Sequence, residues 1–148
     1  MSSLTHRIGR RIVMLGLLVG ATAAVAAPGA VTEAEARQVR AVIQAQLDAF
    51  GADDAERAFA QASPALRQQF GQAERFVAMV KQHYPVVYRP AAVRFLKAVR
   101  VDGELTQGVF FTDAKGLSWL AAYRMERQPD GGWRIAGCDL VASEARMT

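Results

Sequence analysis

The chain has 148 residues, 51% hydrophobic and 22% charged, with a formal net charge of +4. That length suits one domain rather than two, and the apolar share excludes a disordered chain. The basic balance points to an acidic partner such as nucleic acid, unless the charges lie outside the working domain.

They do so in part. Residues 1–27 carry Arg7, Arg10 and Arg11, no acidic residue, and an apolar run from Ile12 to Val25 that ends in Ala24-Val25-Ala26-Ala27-Pro28. A basic start, an apolar stretch of this length and small residues before the junction make a signal peptide, cut after Ala26 or Ala27. A membrane anchor is the alternative, but the run is shorter than the roughly 20 residues a span needs. Without those three arginines the 18 basic residues become 15, against 14 acidic ones, and the domain of residues 28–148 is near neutral. The remaining cations interleave with acids, so neither nucleic-acid binding nor a membrane span is expected of the mature chain. With 15 Arg to 3 Lys, the composition hints at a GC-rich bacterial genome, which places the protein in the periplasm or outside the cell.

Cys138 is the only cysteine, so no internal disulfide forms. It reads as a small buried hydrophobe or as a nucleophile. His83 is the only histidine after residue 27. One Cys and one His show no metal-ligand spacing, and no metal or cofactor is expected. No Gly-x-Ser-x-Gly turn presents a serine, and no Gly-rich loop cradles a phosphate.

The first half is helical. Thr32-Glu33-Ala34-Glu35 is a capping box, and Val39, Ile43, Leu47 and Phe50 follow at helical spacing up to Gly51. A second helix is expected to start at Asp53 and carry Phe59 inward. Ser63-Pro64 opens a third, short helix that ends at Gly71. A fourth runs from about Ala73 to His83, with Phe76, Val77 and Val80 on one side. Tyr84-Pro85 and Arg89-Pro90 bracket an expected extended segment, since both prolines withhold amide donors.

From there the period is two. Val93, Phe95, Val99 and Val101 share one face with Lys97, and Asp102-Gly103 makes a hairpin turn. Leu105, Gln107, Val109 and Phe111 form the next face, then Leu117, Trp119, Ala121, Tyr123 and Met125. The last strand runs from Trp133 to Val141 after the turn at Gln128 to Gly132. Helices first and an antiparallel meander afterwards give an α+β fold, with N-terminal helices packed on a curved antiparallel sheet.

The stretches Gln46 to Phe50, Asp53-Asp54-Ala55, Ala58-Phe59-Ala60, Ala62-Ser63-Pro64, Phe76, Met79-Val80, Tyr84 to Pro90 and Asp130 to Cys138 resemble an exported bacterial family of unknown function, domain of unknown function 4864. The terminal Asp130-Gly131-Gly132-Trp133-Arg134-Ile135 element is similar to many members of the nuclear transport factor 2-like, or cystatin-like, superfold. That resemblance implies a cone-shaped domain with an interior pocket and frequent dimerisation through the sheet. It implies no activity, because a fold does not decide function.

In such a cone the pocket lies between the long helix and the concave sheet face. Tyr84, Tyr88, Trp119 and Tyr123 would line it with aromatic surface and polar tips, or serve as ordinary core. Lys97 would bind an anionic ligand group, or leave the register at a bulge, since a buried unpaired ammonium is costly. Asp139 shares the register of Trp133 and Ile135 and is the candidate acid–base residue, unless a bulge near Gly137 turns it to solvent. Asp53 and Asp54 read as helix caps, and His83 as a cation at a helix end.

Three functions compete. The first is a non-enzymatic domain that holds a small apolar or amphipathic ligand. The second is a homodimer or interaction module using the sheet, whose other face carries Leu96, Phe110, Leu120 and Leu140. The third is an isomerase- or dehydratase-type enzyme using Asp139. The export reading has a direct test. N-terminal sequencing of the protein from fractionated cells is expected to begin at Ala27 or Pro28, and an intact chain held in the membrane fraction would mean an anchor.

Overall fold

Thr32 caps the first helix as its sequence predicts. The Thr32 hydroxyl accepts from the Glu35 amide at 3.1 Å, and the Glu35 carboxylate accepts from the Thr32 amide at 3.0 Å. Two amides that have no partner inside the helix are satisfied in this way. The helix, α1 (Glu33–Gly51), buries Val39, Ile43, Leu47 and Phe50 along one face. The structure is a computed structural model that describes residues 29–143, so the segment assigned to export, with its cleavage sites, lies outside the described residues.

The second helix, α2 (Ala55–Ala60), starts one residue later than expected. Asp54 is its cap and accepts from the Arg57 amide at 3.1 Å. Asp53 instead adopts a φ of 52°, which lets the chain reverse after α1 and turns its carboxylate toward Tyr88 and Arg89. The third helix, α3 (Pro64–Phe70), is capped by the Ser63 hydroxyl and stops at Gly71, where φ is +75°. The fourth, α4 (Ala73–His83), buries Phe76, Val77 and Val80.

The segment after Tyr84 is not extended. It forms one helical turn, α5 (Pro85–Tyr88), because Pro85 fits a first helical position and the Tyr84 carbonyl accepts from the Val87 and Tyr88 amides. All three residues Val86, Val87 and Tyr88 are buried, which a half-exposed strand could not achieve.

The sheet is antiparallel throughout. Its strands are β1 (Ala92–Phe95), β2 (Val99–Val101), β3 (Glu104–Thr112), β4 (Ser118–Arg127) and β5 (Trp133–Ser143). The order is β1-β3-β4-β5, with β2 continuing beside β3 where β1 ends. Asp102 and Gly103 both have positive φ, 50° and 82°, as a tight hairpin requires. The helices cover one face of this sheet, against Leu105, Val109, Phe111, Ala121, Tyr123, Met125, Trp133 and Ile135. The result is an α+β fold with N-terminal helices on an antiparallel sheet.

Two irregularities correct the expected faces. Phe95 lies opposite Val109, but Val99 lies opposite Thr106, so the chain slips one residue across Leu96 to Ala98. Val93 and Phe95 share the face of Phe111 and Val109, while Val99 and Val101 point away from the helices and Arg100 points toward them. Leu117 sits outside β4 and is exposed. The second slip is in β5: Arg124 opposes Gly137 and Met125 opposes Ile135, which leaves Ala136 as an extra residue.

The inward Arg100 meets the first helix. Its Nη2 donates to the Glu35 carboxylate at 2.9 Å, and Arg127 approaches the same carboxylate at 3.6 Å. Trp133 Nε1 donates to Gln38 at 3.1 Å beside this cluster. The Thr32 amide, with help from Arg100 and Arg127, holds the Glu35 carboxyl below its ordinary value of 4.5, against the opposing effect of burial. A lowered folded value stabilises the protein above that ordinary value, and the gain is lost as pH falls through the folded value. Glu35→Gln is therefore expected to lower Tm at pH 7 and to flatten the fall of Tm on the acid side. Melting curves from pH 7 to 3 check this, and two parallel profiles would contradict it. Thr32→Ala is expected to cost about 1 kcal/mol by itself.

Candidate functional site

The helices do not close completely over the sheet. Between α1, α3, α4 and the β4–β5 end of the sheet lies a cavity of about 310 Å³. Its helical walls are mostly apolar: Phe50 from α1, Leu66 and Phe70 from α3, and Phe76, Met79 and Val80 from α4. Phe76 is the centre of this wall. Its ring lies 5.6 Å from Phe70, 5.5 Å from Phe59 and 6.2 Å from Phe50. Such contacts fix ring positions beyond what area burial alone achieves.

The opposite wall is the sheet, and here polar atoms enter. Tyr123 is 1% exposed, and its hydroxyl has no hydrogen-bond partner. Leaving such a group unsatisfied costs about 1–3 kcal/mol. Burial pushes its pKa well above the ordinary tyrosine value, so it stays a neutral O–H. Cys138 is its neighbour, opposite it in the ladder, and a thiol is a weak acceptor. Burial also pushes the Cys138 thiol up to about 12, which removes the thiolate a nucleophile needs. Tyr84 is partnered: its hydroxyl donates to the Cys138 carbonyl at 3.3 Å across the free edge of β5. Burial raises its value as well. Gln46, buried on α1, donates to the Ala58 carbonyl at 3.2 Å and completes the polar set inside the cavity.

At the rim sit Arg124 and Asp139. Their charged groups are 3.8 Å apart, with 48% and 76% of the side chains exposed. The slip at Ala136 explains Asp139. After it, Cys138 and Leu140 take the inward register, and Asp139 opposes Ala122 on the outward one. Asp139 is the carboxylate among the cavity-lining residues, but the burial that an acid–base role needs is missing.

Of the residues singled out from the sequence, Tyr84, Tyr123 and Asp139 meet at this cavity. Three lie elsewhere. The Tyr88 hydroxyl donates to Asp53, whose carboxylate also accepts from Arg89 Nη2 at 2.7 Å, and the Tyr88 ring packs 5.3 Å from Phe50. That cluster ties the α1–α2 turn to α5. It raises Tyr88, mainly through burial, and lowers Asp53, mainly through the Tyr88 hydroxyl. Trp119 donates from Nε1 to Asp113 at 3.1 Å and locks the β3–β4 turn. Lys97 is exposed and borders a separate groove with Arg37 and Arg40.

Sequence reasoning passed over Gln46, Arg124 and the α3–α4 wall. Gln46 had a signal: it is a polar residue on the buried stripe of α1, beside Ile43 and Leu47. Arg124 had none, since its position depends on the slip in a different strand.

A family model described as "Domain of unknown function (DUF4864)" matches residues 32–148. The chain belongs to that family. The match begins at the Thr32 cap and takes in every helix and strand described above, including all the cavity walls. No curated protein and no solved structure matches the chain. Among the described residues, no group of three or more His, Cys, Asp and Glu could hold a metal ion, and no helix is long and apolar enough to cross a membrane.

The orphaned hydroxyl yields a stability prediction. Tyr123→Phe keeps the ring and removes the unsatisfied O–H, so the ligand-free protein is expected to gain about 1 kcal/mol, or roughly 4 °C in Tm. Calorimetry of protein refolded from denaturant, and so free of carried ligand, checks it. A clear loss of Tm would show that the hydroxyl is already bonded.

Proposed function

We propose that this DUF4864 domain is a non-enzymatic binding protein of the cell envelope, exported by its N-terminal segment, that holds a small apolar or amphipathic molecule in the cavity. In this reading the domain is a nuclear transport factor 2-like cone and the cavity is its interior. The observation that carries the reading is the Tyr123 hydroxyl, buried with no hydrogen-bond partner of good geometry beyond the weakly accepting Cys138 thiol, in a largely aromatic and aliphatic wall. A native fold retains such a group at a cost, and a ligand atom that hydrogen-bonds to it would remove that cost. The volume of about 310 Å³ falls at the low end of small-molecule sites.

The test uses N-phenyl-1-naphthylamine, a neutral apolar fluorophore. Titration is expected to give saturable one-to-one binding to the refolded protein. Met79→Trp fills the cavity from its partly exposed side and is expected to weaken binding by at least about tenfold with the circular dichroism spectrum retained. No binding by the wild type, or equal binding by the filled variant, would sink the reading.

The outward sheet face favours a second reading. Val99, Val101 and Val141 are 47%, 52% and 58% exposed on the side away from the helices. A homodimer through this face would cover them. Light scattering of the mature protein at high micromolar concentration decides: a dimer that Val141→Glu dissociates supports this reading, and a monomer rejects it.

A further inference from the structure

The rim of the cavity carries a cation that the fold positions but does not use. The Arg124 side chain makes no hydrogen bond among the described residues, and its one ionic neighbour there is Asp139 at 3.8 Å, beyond hydrogen-bond distance. Both groups are substantially exposed, so their mutual attraction is screened and small. Yet the guanidinium is not loose in solvent. It lies across the backbone of β5 at Gly137, where an added Cβ would stand 2.1 Å from Nη2 and 2.7 Å from Cζ. Gly137 is the residue opposite Arg124 in the ladder, and its φ is not positive, so close approach rather than backbone conformation calls for glycine there. The slip at Ala136 sets this pairing. The guanidinium therefore reaches over the edge strand to the cavity rim with its donors unengaged.

Resting on the binding reading above, we infer that the ligand is a single-chain anionic amphiphile, its carboxylate or equivalent head held by Arg124 at the rim and its chain lying along the Phe70–Phe76–Met79 wall. Arg124 presents a planar fork of donors suited to a carboxylate. The cavity volume favours one chain over two, which separates a free medium-chain acid from a two-chain lipid. Asp139 is the group that opposes the head, and Gln69 is the remaining polar side chain toward the α3 side of the cavity. An incoming carboxylate competes with Asp139 for the same guanidinium, so Asp139 limits the affinity of the site for acids.

Displacement of N-phenyl-1-naphthylamine by decanoate, decanol and decylammonium tests this. The three share a chain and differ in head charge. Decanoate is expected to displace the probe at concentrations at least about fivefold lower than decanol, with decylammonium the weakest. Arg124→Gln is expected to abolish the preference for decanoate and leave decanol unchanged. Gly137→Ala, which pushes the guanidinium aside, should do the same while keeping the charge. Asp139→Asn should widen the preference. Equal displacement by decanoate and decanol in the wild type, or a preference that survives Arg124→Gln, would overturn the anionic-head inference while leaving the binding reading intact. Failure of the neutral probe to bind at all would remove both. Binding of two-chain anionic vesicles with no response to free decanoate would also overturn it.

Discussion

The insertion of Ala136 into β5 fixes the relation between the two faces of the sheet end that walls the cavity. Trp133 and Ile135 point inward before it, and Cys138 and Leu140 after it. Without the extra residue, Asp139 would face the helices and Cys138 would face solvent. With it, the inner wall stays apolar apart from the Tyr123 hydroxyl, and the charged groups move to the rim. The same slip brings Gly137 opposite Arg124, so the glycine backbone becomes the bed for a guanidinium. Fold and site meet at a single residue in a single strand.

The helical side answers a different constraint. Short helices cannot bury a full face each, so α2, α3 and α5 share one aromatic cluster with α1 and α4. Phe50, Phe59 and Phe70 all meet Phe76, and Tyr88 joins through Phe50. The Asp53–Tyr88–Arg89 bonds fix one end of that cluster. The Glu35–Arg100 and Gln38–Trp133 bonds hold the start of α1 to the same face at the other end of the sheet. Held at both ends, α1 stands over the sheet as a fixed roof, and the gap it leaves above Tyr123 is determined by its anchors rather than by local packing alone.

Much of this was legible from the chain. The capping box at Thr32, the Ser63-Pro64 start, the Asp102-Gly103 hairpin and the alternation in β3 are local signals, and each produced the element expected. Where the expectation failed, a distant partner decided. Asp53 leaves the cap because Tyr88 and Arg89, from α5, claim its carboxylate. Pro85 to Tyr88 coils because three consecutive apolar residues find helices rather than a strand to pack on. Val99 and Val101 turn outward because Leu96 settles over Gly108, where a side chain would meet it at 3.1 Å, and the ladder slips. Tyr84 and Tyr123 were recognisable as aromatic pocket candidates, whereas Tyr88, Trp119 and Lys97 have the right chemistry and other neighbours. A pocket was expected only from the family resemblance, and its walls could not be read from residue spacing, since they arise from the angle between helices and sheet.

The link between α2 and α3 carries a consequence for the behaviour of the chain at high concentration. At Ala62 it forms a parallel bridge to Ile135, with the Ser63 amide donating to the Ile135 carbonyl and the Ile135 amide to the Gln61 carbonyl. Tyr84 occupies the next outward carbonyl, at Cys138. The start of the outermost strand therefore has its free hydrogen-bonding groups already taken by the molecule's own helical half. A sheet edge left bare invites another chain to add to it and seeds edge-to-edge aggregation. Here the residues that shape the cavity also blunt that edge, so a molecule that loses its helical cover would expose both an empty pocket and a template for association.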